Sequence, residues 1–514
     1  MDDTIPDLLA EAADRDPEGA WLRADDGHLT FAGAAARVAS TAVLLLAAGV
    51  RKGDLIVLTA RTTPHYVLTW LALSAIGAVS VPTDPRSTAA ELAGLVAQVQ
   101  PVLIVSDDGL ADLLDEADVR EVPDLGVLFV DDIIGDWTDD SAQDFWPAFE
   151  VEPDDLAVLI PTSGTTGRSK LVMQTHRAYA WAGQGFPYWM QLTRDDVMMT
   201  SLPIFHINAP AYSVMGSLAC GAGLVLVPRF SASGFLDSAR RHGATEFNAI
   251  GAMLEILMRQ PERDDDADTD LRLVYTGPSP TQEFQEAFER RFGLQIVCGY
   301  ALSESPYGLV WPHGSRPFGT LGTVRQHPTL GTVNEAKVIW DDGQSAAAGE
   351  PGELLLRNPV VTPGYWQMPD ETAATLVDGW LHTGDLVTVD DGGTYTFVSR
   401  KKEVLRRRGQ NLSPAEVEDA ITEHPDVLEC AVVAVPSDLT EDDVKAFVAL
   451  VPGREPDFEA LREWTGQRLS AFKVPRFWQA LDDLPRTPTS RVAKHRLPTG
   501  HPPGEYDAEP QEGP

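Results

Sequence analysis

Cysteine is scarce: the 514 residues hold three, Cys220, Cys298 and Cys430. They lie far apart and form no C-x-x-C pair, which excludes a disulfide framework and a thiolate zinc site and makes a reducing cytoplasm the expected location. Positive charge is also short, with 40 Lys and Arg against 77 Asp and Glu and a formal net charge of -37. A field of that sign repels phosphate backbones and anionic lipid, so neither nucleic acid nor a membrane is an expected partner. A small anionic ligand remains admissible, because local donors and Mg²⁺ hold it rather than average charge. The start at Met1 lacks the basic region and apolar core of a secretory signal. Residues 204–227 carry no Asp, Glu, Lys or Arg and approach the length of a membrane span. His206, Asn208, Pro210, Tyr212 and Ser213 interrupt them, and Gly221 and Gly223 break them, which predicts a helix, a turn and a buried strand of a soluble protein.

What is present is an ordinary globular balance, 43% hydrophobic and 23% charged, in a chain long enough for two or more domains. Strand-like apolar runs at 55–58, 102–105, 127–130 and 156–160 alternate with helix-period segments at 34–46 and 66–76. The alternation predicts an α/β fold: a large N-terminal domain of layered sheets and helices over 1–400. The acidic segment 261–270 reads as a solvated loop. Beyond residue 400 the texture changes, with a cationic patch at Arg406, Arg407 and Arg408, then helices at 414–422 and 458–469 and strands at 430–435 and 445–450. We place a small, mobile α+β domain at 401–497. The last segment, 498–514, rich in Pro, Gly and acids, reads as a disordered tail.

The strand at 156–160 runs into Thr162, Ser163, Gly164, Thr165, Thr166, Gly167, Arg168, Ser169 and Lys170, and a second strand-like run starts at Leu171. Backbone N–H groups freed by glycine, several hydroxyls and one lysine suit an oligophosphate. The spacing is not that of the Walker loop, whose lysine opens a helix. Further motifs follow: PIFH ending at His206, GYALSE at 299–304, Gly352-Glu353, Gly364-Tyr365-Trp366, GWLHTGD ending at Asp385, Arg400-Lys401-Lys402, and PRTPTSR ending at Arg491.

With these motifs in this order, from about residue 29 to 497, the chain resembles the AMP-forming adenylate ligase superfamily of acyl-CoA synthetases, nonribosomal adenylation domains and luciferases. The wording is most similar to the acyl-CoA ligase branch. The resemblance implies ATP as cofactor with AMP as product, Mg²⁺, and CoA or a carrier-protein pantetheine as acceptor. It implies that the loop from Thr162 to Lys170 holds the β and γ phosphates, that Tyr300 stacks on adenine, that Ser303 lies near the α-phosphate and that Glu304 binds Mg²⁺. Asp385 would accept from the ribose hydroxyls, a task that suits two carboxylate oxygens, with Arg400 in support. His206 would border the acyl pocket; relatives that activate amino acids usually carry Asp there, which argues against an α-amino acid. Lys402 falls at the hinge about which the small domain rotates between half-reactions.

Three positions depart from the pattern. Ala301 stands where many relatives have Gly, Leu171 follows the loop lysine where Gly is usual, and Arg491 occupies the place of the lysine that bridges the attacking carboxylate and the α-phosphate. A planar guanidinium keeps that charge but not its shape. The expected activity is therefore adenylation of a small or medium carboxylate and its transfer to CoA. Two alternatives are a diazotase-like enzyme, which activates nitrite and delivers it to an arylamine, and a nucleotide-binding pseudoenzyme.

Overall fold

The computed structural model describes residues 4–138, 150–162, 170–277, 279–401, 405–407, 410–436, 442–469, 473–487, 492–498, 500, 502 and 504–508. The chain divides into two compact units. The first comprises 1–336, 355–382 and 393–395; the second comprises 337–354, 383–392 and 396–514. The architecture is the mixed α/β type expected, with the larger body N-terminal.

Two sheets organise the first unit. One has nine strands, which begin, from edge to edge, at Thr323, Ser305, Gln295, Leu273, Glu246, Val197, Gly223, Ala20 and Gly27. The six from Gln295 to Ala20 are mutually parallel, and the edge strands are antiparallel. The other has six strands, beginning at Val127, Leu103, Leu55, Val79, Leu156 and Lys170. All its pairs are parallel except the last, which is antiparallel. The central strands Leu103–Ser106 and Val79–Pro82 are buried at every position, as expected of parallel strands covered on both faces. The strand expected to extend to Val130 ends at Phe129, and Val130 opens a short helix.

Residues 204–227 fold as the sequence predicts. A π-helical turn, Ala209–Val214, continues into the helix Met215–Cys220. Gly221 then turns the chain at φ +78° into the strand Gly223–Leu226. No helix among the described residues is long and apolar enough to cross a membrane. The acidic 261–270 segment has one inward member: Asp266 is 4% exposed and binds Arg291 Nε at 2.7 Å.

In the second unit, a four-stranded sheet runs in the order Val427–Pro436, Asp442–Leu450, Phe477–Ala480, Tyr506–Asp507. The helices Pro414–Thr422 and Phe458–Arg468 belong to the same unit. Val417, Ile421 and Leu461 pack with Val432, Val444 and Trp478 in its core. Part of the expected disordered tail is ordered: Tyr506–Asp507 pairs antiparallel with Phe477–Ala480. Two ion pairs hold it there. Lys445, with no exposed surface, meets Glu505 at 2.5 Å, and Arg476 meets Asp507 at 2.9 Å. The tail's composition conceals anionic partners for cations that the sheet buries.

Candidate active site

The strands Leu156–Thr162 and Lys170–Thr175 form an antiparallel hairpin, closed where Thr162 Oγ1 donates to the Lys170 carbonyl at 3.2 Å. Its turn, with Ser163, Gly164, Thr165, Thr166 and Gly167, lies outside the described residues. A strand, not a helix, follows the loop, as the spacing requires.

A second segment is stitched along the Lys170–Thr175 strand. Met173 N–H donates to Gly364 O at 3.0 Å, and Trp366 N–H to Leu171 O at 2.9 Å. Thr362 Oγ1 caps the join by donating to the Met173 carbonyl at 2.5 Å. Gly364, at φ +139°, is required here because a Cβ would strike the Thr372 side chain. The turn delivers Tyr365, whose ring lies 4.6 Å from Lys170 Nζ and whose hydroxyl donates to Glu304 Oε1 at 2.8 Å. Burial first, and then the Glu304 charge and hydrogen bond, push the Tyr365 phenol well above its ordinary range. It therefore stays protonated and remains a donor.

Ser303 is tied to the same strand, and Glu304 to the segment stitched along it. Gln174 Nε2 donates to Ser303 O at 2.5 Å, and Thr362 N–H to Glu304 O at 2.7 Å. The first unit thus brings Lys170, Ser303 and Glu304 together through Gln174 and Tyr365. A cation and a carboxylate linked by a phenol provide one group for phosphate oxygens and one for a divalent cation. Mg²⁺ needs only one or two carboxylates when phosphates and water complete its octahedron. Glu304 fits that role, with Tyr365 engaging Oε1; no cluster of three or more His, Cys, Asp or Glu exists among the described residues to compete.

Tyr300 is half-buried on the Gln295–Leu302 strand, opposite Leu309. Gly308 makes this pairing possible, since a Cβ there would collide with the Tyr300 carbonyl. His206 is half-buried beside Phe205, with ring centroids 4.5 Å apart. Two residues on, Asn208 Oδ1 accepts from Asn248 Nδ2 at 2.8 Å, and the same amide reaches Ser213 Oγ at 3.2 Å.

In the second unit, Asp385 is 1% exposed, and its Oδ1 pairs with Arg400 Nε at 2.9 Å. Gly384 N–H donates to Glu353 Oε1 at 3.1 Å, while Lys401 Nζ bridges Asp341 at 2.9 Å and Glu353 at 3.2 Å. The hydrogen bond to Asp341, and then that to Glu353, raise the Lys401 pKa. Asp385 and Arg400 are thus brought together. Lys402 and Arg491 lie outside the described residues.

Residues 9–366 match the family model described as AMP-binding enzyme, and residues 416–491 match that of the AMP-binding enzyme C-terminal domain. The chain belongs to the AMP-binding enzyme family. It is an AMP-forming ligase of the acyl-CoA synthetase type. Among curated relatives, it is 30% identical to a crotonobetaine/carnitine–CoA ligase of Escherichia coli over 475 residues, 89% of this chain and 90% of that one. Among solved structures it is similar to ATP-bound MatB from Rhodopseudomonas palustris, with TM-score 0.84, 25% identity and coverage of 95% and 97%. It is equally similar to o-succinylbenzoate CoA synthetase from Bacillus subtilis in complex with ATP and magnesium, with TM-score 0.84, 25% identity and coverage of 95% and 98%. Within this AMP-binding enzyme, Tyr365 is the group that sequence reasoning passed over: its motif was visible, but nothing local couples its hydroxyl to a carboxylate 61 positions away.

Proposed function

We propose that the protein adenylates a small or medium carboxylate with ATP and transfers the acyl group to CoA. In the first half-reaction a carboxylate oxygen attacks the α-phosphorus, the bond to pyrophosphate breaks, and an acyl-adenylate remains. In the second the CoA thiolate attacks the acyl carbonyl, and the bond to AMP breaks. The observation that carries the reading is the Lys170, Tyr365 and Glu304 arrangement, in which a lysine and a carboxylate are held in fixed relation at the foot of a Ser/Thr/Gly-rich loop.

Lys170 and the loop would meet the β and γ phosphates, and Tyr300 the adenine. Glu304 would hold Mg²⁺, which when bound offsets the charge that gathers as two anions meet. Tyr365 keeps the Glu304 carboxylate oriented. In the second unit, Asp385, held by Arg400 Nε at 2.9 Å, supplies carboxylate acceptors for the ribose hydroxyls. His206 borders the acyl group, Lys402 serves as hinge, and Arg491 supplies the cation between carboxylate and α-phosphate.

Pyrophosphate release from Mg²⁺-ATP, measured over a panel of carboxylates with and without CoA, tests this reading. We expect release with at least one acid, acyl-CoA once CoA is supplied, and losses of about a hundredfold or more in Lys170→Ala and Glu304→Ala. Undiminished turnover in both variants would reject the proposal. Release without acyl-CoA formation would transfer the acceptor role from free CoA to a carrier-protein pantetheine.

A further inference from the structure

Arg325 is 1% exposed, and no carboxylate pairs with it among the described residues. Neutral acceptors and aromatic faces hold its guanidinium. Nε donates to the Leu309 carbonyl at 2.9 Å, and Nη1 to the Pro306 carbonyl at 3.0 Å and to the Tyr212 hydroxyl at 2.6 Å. Nη2 donates to the Tyr275 hydroxyl. The charge lies 4.7 Å from the Trp189 ring centre and 5.2 and 5.4 Å from those of Tyr212 and Tyr275. A buried cation without a counter-ion is expensive to desolvate, and hydrogen bonds and ring faces offset only part of the penalty. Its acceptors indicate what the cation does there. Pro306 and Leu309 belong to the strand Ser305–Val310, which starts directly after Glu304. Leu309 is also the register partner of Tyr300, and Val310 that of Gly299. The backbone of Arg325 adds a third tie, its N–H donating to Gly308 O at 3.0 Å. Even Gly299 is shaped around it, since a Cβ there would lie 2.6 Å from Nη2.

We propose that Arg325 is a positioning residue for nucleotide and magnesium: by gripping the Pro306 and Leu309 carbonyls it sets the Tyr300 and Glu304 hairpin at the height the ligand requires. The inference rests on the nucleotide reading of Tyr300 and Glu304. The rigid fork matters as much as the charge, because one ammonium cannot reach two carbonyls and two phenols in the same plane. Tyr212 is a joint in the same clamp, its hydroxyl donating to Pro306 O at 2.8 Å.

The test compares half-saturating Mg²⁺ for pyrophosphate release, KM for ATP and the thermal midpoint in the full chain and in Arg325→Lys, Arg325→Met, Tyr275→Phe and Glu304→Gln. We expect Arg325→Met to raise the Mg²⁺ requirement roughly tenfold or more, as loss of a group that orients a metal ligand does. Arg325→Lys should not restore it. Tyr275→Phe, which keeps the ring and the fold, should raise it severalfold with little change in thermal midpoint. Values within about twofold of wild type for Tyr275→Phe and a folded Arg325→Met, whatever their thermal midpoints, would overturn the proposal. If Arg325→Met does not fold, Tyr275→Phe decides alone. An unchanged Mg²⁺ requirement in Glu304→Gln would instead strike at the nucleotide reading itself, so the two failures are distinguishable.

Discussion

The Tyr365 hydroxyl and the Glu304 carboxylate meet at 2.8 Å, and the phenol is the donor. A hydrogen bond to a charged acceptor contributes about 1.5–3 kcal/mol. Tyr365→Phe keeps the ring under Lys170 but releases Glu304. We expect kcat/KM for adenylation to fall about tenfold to a hundredfold, with Lys170→Ala more severe. Steady-state pyrophosphate release reads both.

The Lys445 and Glu505 pair makes the C-terminus structural. Lys445 is wholly buried, and the Glu505 side chain is 7% exposed. Removing one member leaves a buried charge alone, which costs about 3–5 kcal/mol. Glu505→Ala, and a chain ending at residue 499, should each shift the urea midpoint downward by a comparable amount. Lys445→Met together with Glu505→Leu should recover most of the loss. An unchanged midpoint in the truncated chain would show that the strand at 506–507 adds nothing.

His176 sets a pH dependence in the first unit. It opens the helix His176–Met190 with no exposed surface, and neither ring nitrogen has a partner among the described residues. Burial lowers its pKa to about 4; the Asp155 charge opposes this, and the Lys52 charge adds slightly to it. A base depressed in the folded state gives stability that is complete above the unfolded value of about 6.5 and is lost as pH falls from there through 4. The loss approaches roughly 3 kcal/mol. His176→Phe should flatten urea midpoints between pH 7 and pH 4.5.

Glu246 contributes with the opposite sign. It is fully buried on its strand, and neither carboxylate oxygen has a partner among the described residues. Burial, and then the Asp196 charge, raise its pKa well above normal, with Arg272 opposing. An acid raised in the folded state gives stability that is present below the unfolded pKa and is lost as pH rises through the folded one. Glu246→Gln should therefore raise the thermal midpoint at pH 8 and do little at pH 4.5. An equal effect at both would show that titration is not involved.

The legibility of this chain follows the range of its interactions. The strands Leu55–Thr59 and Leu103–Ser106 and the helix Pro414–Thr422 were readable because apolar period and turn residues are local signals. The groups proposed to hold the nucleotide could be named because their motifs are short and follow one another in a fixed order. Arg325 was not, since the rings that house it come from positions 189, 212 and 275 and no local pattern marks a cation as buried. The tail misled for the same reason: Glu505 and Asp507 look solvated until Lys445 and Arg476 are placed beside them.

The hairpin that flanks residues 163–169 bears on how the helix after it is placed. In a strand-to-helix loop, every inserted residue moves the helix that follows. Here the next helix, His176–Met190, begins only after the six residues of Lys170–Thr175, about 20 Å of extended chain. The helix has its own anchor, the Thr175 hydroxyl, which accepts from Ala178 N–H at 3.3 Å. The pairing of Leu156–Thr162 with Lys170–Thr175, rather than the length of the segment between them, sets the place of that helix.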